Sequence, residues 1–207
     1  MVALSPEDKQ RLDAAVAAAE RQTGAEIVLA VADVCDDYAA YPLLWAFALG
    51  FLFAGGLALG WPETHVRFAF LGVGAFVLAV GLPLHWRPLR LLLVPRAIEQ
   101  EQAARAAAAH FAAHVGGRTA NANGLLIFVA LGEHYVEIIP EAAIRQAIPE
   151  TTWAEIVADM LADVKQGRLV DGLEKAVARC AAVLAGPFPC KPDDRNEIGD
   201  AVVVTRN

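Results

Sequence analysis

Leu43 to Trp61 reads LLWAFALGFLFAGGLALGW, and Phe68 to Leu84 reads FAFLGVGAFVLAVGLPL. Neither run contains a charged residue, and the indoles of Trp45 and Trp61 are the only hydrogen-bonding side chains. Wound as helices, the runs reach about 28 Å and about 26 Å, close to the roughly 30 Å hydrocarbon core of a bilayer. A core helix of a water-soluble domain normally keeps one polar face, and these runs have none. The pattern predicts two transmembrane helices over 43–61 and 68–84. Trp61-Pro62-Glu63-Thr64-His65-Val66-Arg67 forms the turn between them, with Pro62 suited to it. Trp45, Trp61 and Trp86 fall near the ends of the runs, where indoles favour the headgroup layer.

The surrounding chain agrees. Of 207 residues, 57% are hydrophobic and 20% charged, and the mean hydropathy is +0.42. From Asp37 to Arg87 only Glu63 and Arg67 interrupt a charge-free stretch. A disordered chain is excluded, and an ordinary cytosolic globule does not fit. The net charge of −7 excludes a nucleic-acid partner, which needs a Lys/Arg surface. Small residues recur along the spans at Gly50, Gly56, Gly60, Ala75 and Ala79, spacing that lets helix backbones approach in lipid. They serve either the packing of the two spans together or a homo-oligomer.

A hairpin leaves both chain ends on one side of the membrane. Arg87, Arg90 and Arg96 lie beside the second span on that side, against Arg67 alone in the connecting loop. The positive-inside bias therefore predicts an inner-membrane protein with its soluble part and both termini cytoplasmic. The three arginines are also the expected contact with membrane lipids. Cys35, Cys180 and Cys190 are odd in number and form no C-x-x-C, as expected of reduced thiols.

Both flanks of the hairpin contribute to the soluble part. Ser5 caps a helix with Pro6 at its first position, running to about Gln22 and stopped by Gly24. Ile27 to Val34 is an unbroken aliphatic run, the mark of a strand covered on both faces as in parallel sheets. Beyond the hairpin, Pro95 to His114 reads as a helix and Asn121 to Gly124 as a turn. Leu125 to Ala130 and Tyr135 to Ile139 read as a strand pair. Thr152 with Glu155 predicts a capping box opening a helix through Gln166, and Asp171 to Leu184 a last helix. The expected organisation is a first piece of the soluble domain over 1–40, the membrane hairpin over 41–86, a second piece over 87–186 and an acidic tail over 187–207. The fold class is α/β, a layered α/β/α sandwich with the two-helix transmembrane hairpin inserted after the first strand.

Several segments resemble the TPM domain, a family found in thylakoid-lumen proteins, photosystem II repair factors and nematode receptor auxiliaries. They are Leu4-Ser5 with Leu12, Gly24-Ala25-Glu26-Ile27-Val28, Asn123-Gly124-Leu125-Leu126-Ile127-Phe128, Val136-Glu137-Ile138-Ile139, Gly167-Arg168-Leu169 and Asp171-Gly172-Leu173. Their order is similar to the bacterial membrane-hairpin branch of that family and covers nearly all of the chain outside the spans. The resemblance implies a domain that assists membrane complexes, under a label that is phosphatase-like at most. Where family members often carry a carboxylate just before the Asn-Gly, this chain has Ala122.

The residues offer few candidates for chemistry. Asp33, Asp36 and Asp37 stand at the carboxyl end of the first strand, where α/β sheets bind ligands. Together they could hold Ca²⁺ or Mg²⁺. Their plainer use is to end the strand and cap the helix that follows. Asp193-Asp194-Arg195-Asn196-Glu197 offers oxygens without EF-hand spacing, and His110 with His114 lacks the Glu of H-E-x-x-H. Glu133-His134 occupies a hairpin turn. There is no Walker A, G-x-G-x-x-G or G-x-S-x-G motif. The function expected is a membrane-anchored, non-catalytic binding or assembly factor for unidentified membrane proteins. A divalent-metal-dependent phosphatase and an oligomeric membrane scaffold are the alternatives.

Overall fold

The computed structural model describes residues 4–61, 65–84, 86–190, 198–199 and 202–205. The chain divides into two compact units. One joins Met1–Cys35 to Gln100–Asn207, and the other is Asp36–Glu99. The apolar unit includes two long helices, a short one and the first turn of the next.

In the α/β unit, α1 (Pro6–Glu20) opens on a full capping box: Asp8 N–H donates to Ser5 Oγ at 3.1 Å, and Ser5 N–H to Asp8 Oδ2 at 3.0 Å. The Ser5 hydroxyl also donates to Asp8 Oδ2 at 2.8 Å, and this bond first, then the one from Ser5 N–H, hold the Asp8 carboxyl below its usual range. β1 (Glu26–Ala32) is buried at every position, as its unbroken hydrophobicity requires. It pairs in parallel with β2 (Gly124–Ala130), Glu26 opposite Gly124, although the apolar unit separates the two in sequence. β2 turns into the antiparallel β3 (Tyr135–Pro140). A strand not foreseen, β4 (Val203–Thr205), pairs in parallel with the other edge of β1, giving the order β3-β2-β1-β4.

Each face of the sheet carries a hydrophobic core. Ile27, Leu29, Val31, Leu125, Ile127 and Val129 face α1, α7 (Glu150–Lys165) and α8 (Leu169–Leu184). Val28, Ala30, Ala32, Leu126, Phe128 and Ala130 face Ala103 and Ala107, on α5 (Arg96–His114). This is the layered α/β/α arrangement, with one thick helical layer and one thin one. The loop after β3 holds a further short helix, α6 (Ala142–Ala147). α7 begins two residues before the expected Thr152 box. Pro149 is its N-cap, Thr152 N–H bonds back to the Pro149 carbonyl at 3.1 Å, and no side chain caps it. Gly167, at φ +78°, ends α7 and lets α8 start at Leu169.

In the apolar unit, α2 (Ala40–Gly60) and α3 (Val66–Leu84) are both long and apolar enough to cross a membrane. They pack side by side as a hairpin. Gly50 sits under Val77, where a Cβ would lie 2.4 Å from a Val77 methyl, and a Cβ on Gly81 would meet Ala46 at 3.3 Å. Phe53 and Phe76 stack with centroids 4.5 Å apart. Of the five small residues singled out in sequence, only Gly50 is buried. Gly56, Gly60, Ala75 and Ala79 are exposed, turned outward by the helical period. A short helix, α4 (Arg87–Leu92), follows, and the Trp45 indole N–H donates to the Leu93 carbonyl at 3.3 Å.

Candidate functional site

At the carboxyl end of β1, half-buried Asp33 holds strands together through its backbone. Its N–H donates to the Thr205 carbonyl at 3.1 Å, and its own carbonyl accepts from Gly132 at 2.9 Å. The Glu133 carboxylate accepts the Cys35 N–H at 2.8 Å, tying the β2–β3 turn to the exit of β1. Asp36 and Asp37 begin the apolar unit. Asp36 accepts the Tyr38 N–H at 3.4 Å and Asp37 the Ala39 N–H at 2.9 Å. These are local Asx-type turns, and Ala39, not an aspartate, is the N-cap of α2. Among the described residues no three His, Cys, Asp or Glu side chains converge as a metal site. The 193–197 group, Glu63 and the Arg87 side chain lie outside the described residues. Arg90 is half-buried and Arg96 exposed.

Beside the same end of the sheet, Tyr135 donates its hydroxyl to Glu137 Oε2 at 2.8 Å. Burial first, and then this bond, push the phenol up to about 12, so it stays protonated at neutral pH. His134 takes the left-handed turn position, at φ +51°. Cys180, fully buried on the inner face of α8, is pushed up to about 12 by burial and fills space in the core.

His110 and His114 stack with centroids 5.6 Å apart, and His110 lies 5.4 Å from the Phe128 ring. Burial, with His114 adding to it, lowers the His110 pKa from its ordinary value near 6.5. The folded protein therefore binds this proton less readily than the unfolded chain does. The stability this contributes is complete above pH 6.5 and is lost as pH falls toward the lowered pKa. The melting temperature should accordingly drop between pH 7 and pH 5.5, and drop less in His110→Gln. Equal drops in both proteins would remove His110 as the cause.

The opposite, amino end of β2 is built around a residue that sequence reading passed over. Glu141, 7% exposed, receives three donors: Gly117 N–H on Oε1 at 3.0 Å, and Gly124 N–H at 2.8 Å and Thr119 Oγ1 at 2.5 Å on Oε2. Thr119 Oγ1 in turn accepts the Asn123 N–H at 3.1 Å. Asn123 Nδ2 donates to the Gly24 carbonyl at 2.5 Å, and the Asn123 carbonyl accepts from Glu26 at 3.2 Å. Ala122 bends this loop at φ +50°. A signal for the cluster existed: Gly116-Gly117 and Asn123-Gly124 bracket a loop whose turned-in N–H groups need an acceptor.

A groove of about 660 Å³ runs along the outer side of β3, between that strand and α7. Val136, Ile138, Ile148, Trp153, Ala154 and Val157 give it an apolar floor, with Glu137, Arg145 and Glu150 at its margin. Trp153 is 4% exposed, and its indole N–H has no acceptor among the described residues.

Residues 87–183 match the family model described as the TPM domain. A protein of similar fold is BA42 from the psychrophilic bacterium Bizionia argentinensis, whose structure was determined by NMR. It is 16% identical, with a TM-score of 0.61 over 98% of this chain and 95% of that one. At that identity the likeness concerns the fold alone. No curated protein matches the chain.

Proposed function

We propose, from the match of residues 87–183 to the TPM-domain model, that the protein is a membrane-anchored binding or assembly factor for other membrane components. Its α/β unit is held at the cytoplasmic face of an inner membrane by the α2–α3 hairpin, and both termini are cytoplasmic. The observation that carries the reading is the outer surface of the hairpin. Leu43, Phe47, Phe51, Leu52, Leu59, Phe68, Phe70, Leu71 and Leu82 are each more than half exposed, a surface that water would not tolerate and lipid covers. Arg90 and Arg96 follow the second span, where each basic residue contributes about 1 kcal/mol of attraction to an anionic leaflet.

Photocrosslinking of the full chain in native membranes tests the role. Discrete membrane-protein adducts are expected. Their absence, together with metal-dependent cleavage of p-nitrophenyl phosphate that Asp33→Asn abolishes, would replace this reading with a phosphatase. Orientation is tested with His65→Cys, which an impermeant maleimide should label in intact cells. Protection of that cysteine would invert the topology.

One observation favours a second reading, an oligomeric scaffold. A Cβ at Gly55, Gly56 or Gly60 would meet nothing within 4 Å, so this strip of α2 is open to a neighbouring helix. Self-association in detergent that Gly56→Leu and Gly60→Leu remove would support it.

A further inference from the structure

β3 is an outer strand of the sheet, and the ladder decides which of its residues turn their backbone outward. Glu141 donates its N–H to the Gly124 carbonyl at 2.8 Å. Counting back by twos, Ile139, Glu137 and Tyr135 direct their N–H and C=O groups to β2, opposite Leu126, Phe128 and Ala130. Val136 and Ile138 direct theirs to the open edge. Pro140 ends that edge: it has no N–H, and its carbonyl accepts from Arg145 Nη2 at 3.0 Å. The edge therefore offers one short, fixed register of two donors and two acceptors, directly above the apolar groove.

We propose that this edge and groove bind an extended segment of another protein, added to the sheet as a fifth strand, with apolar side chains in the groove and a basic residue opposite Glu137. The inference rests on the binding reading above and gives it a place on the molecule. Backbone pairing supplies affinity in such strand addition, and the alternate side chains supply selectivity. Charge decides the occupant. The margin carries two carboxylates, Glu137, which accepts the Tyr135 hydroxyl, and Glu150, against one cation, Arg145, which donates to the Pro140 carbonyl. A second copy of this chain fits poorly: a two-fold axis through Glu137 sets two carboxylates face to face, and one through Ile138 sets Val136 against Pro140, which lacks a donor.

The test uses the full chain in a neutral detergent and two fluorescein-labelled hexapeptides, one alternating valine with lysine, the other valine with glutamate. The lysine peptide should bind saturably, and about tenfold more tightly than the glutamate peptide. Ile138→Pro removes an outward N–H that the β2 ladder does not use, so it should weaken binding about tenfold or more while the far-ultraviolet circular dichroism is kept. Glu137→Lys, which leaves the groove floor intact, should exchange the preference between the two peptides. Absence of saturable binding, equal binding of both peptides, or self-association that Ile138→Pro abolishes would each overturn the proposal. Photocrosslinked partners that persist in Ile138→Pro would overturn it too, while leaving the binding role standing.

Discussion

Phe128→Ala should destabilise the α/β unit by about 4 kcal/mol, the upper part of the range for a buried aromatic truncated to alanine. The ring is 0% exposed, on the face of β2 that looks toward α5. What makes the site costly is its company. Ala30, Ala32, Ala103, Ala107 and Ala130 make up five of the nine buried members of its cluster, and alanines have no side-chain length with which to fall into the space a lost ring leaves. His110, 5.4 Å from the ring, would lose its packing partner as well. In a protein of this size the melting temperature should fall by roughly 10 °C. Phe111→Ala is the comparison: Phe111 only packs against this core from a half-buried position, and its loss should cost less than half as much. Thermal melts of the two variants in the same detergent decide the matter, and equal losses would mean that the thin layer does not depend on Phe128.

Those features that residue pattern determines locally were legible before any coordinates. The charge-free runs could only be apolar helices, and the unbroken runs of β1 and β2 required cover on both faces, which the α/β/α layering provides. The Asn123-Gly124 turn and the β2–β3 pair follow from turn chemistry. What could not be read depends on partners remote in sequence. Val203–Thr205 is too short to declare itself a strand, and becomes one only because β1 has a free edge beside it. α4 and α6 have six residues each, below the length at which periodicity speaks. The Thr152–Glu155 spacing is a sound capping box, but Pro149 sets the start of α7 earlier. For the site, adjacency in sequence misled: Asp36 and Asp37 turn onto neighbouring N–H groups, whereas Glu141, in no motif, gathers three donors from a loop some twenty residues back.

Glu141→Gln should destabilise the unit by about 3 kcal/mol although it changes almost no volume. A carboxylate offers acceptors on both oxygens; an amide offers one oxygen and an NH2 group. Either orientation of glutamine places that NH2 against donors: the Gly117 N–H in one, the Gly124 N–H and Thr119 Oγ1 in the other. Unsatisfied buried donors cost about 1–3 kcal/mol each. Thr119→Val removes one bond to Glu141 and one from Asn123, and should cost about 1–2 kcal/mol. Because the residues act as one network, the double variant should lose less than the two singles added together. The consequence reaches beyond the loop. β1 and β2 are parallel and separated in sequence by the whole apolar unit, so no turn sets their register. It is set at their amino ends by Glu26 N–H on the Asn123 carbonyl and Asn123 Nδ2 on the Gly24 carbonyl, and Glu141 fixes the loop that presents Asn123. Hydrogen exchange in Glu141→Gln should therefore accelerate first at Glu26, whose N–H the Asn123 carbonyl holds, ahead of the β2–β3 ladder. Uniform acceleration along the sheet would mean that the carboxylate stabilises the fold without registering those strands.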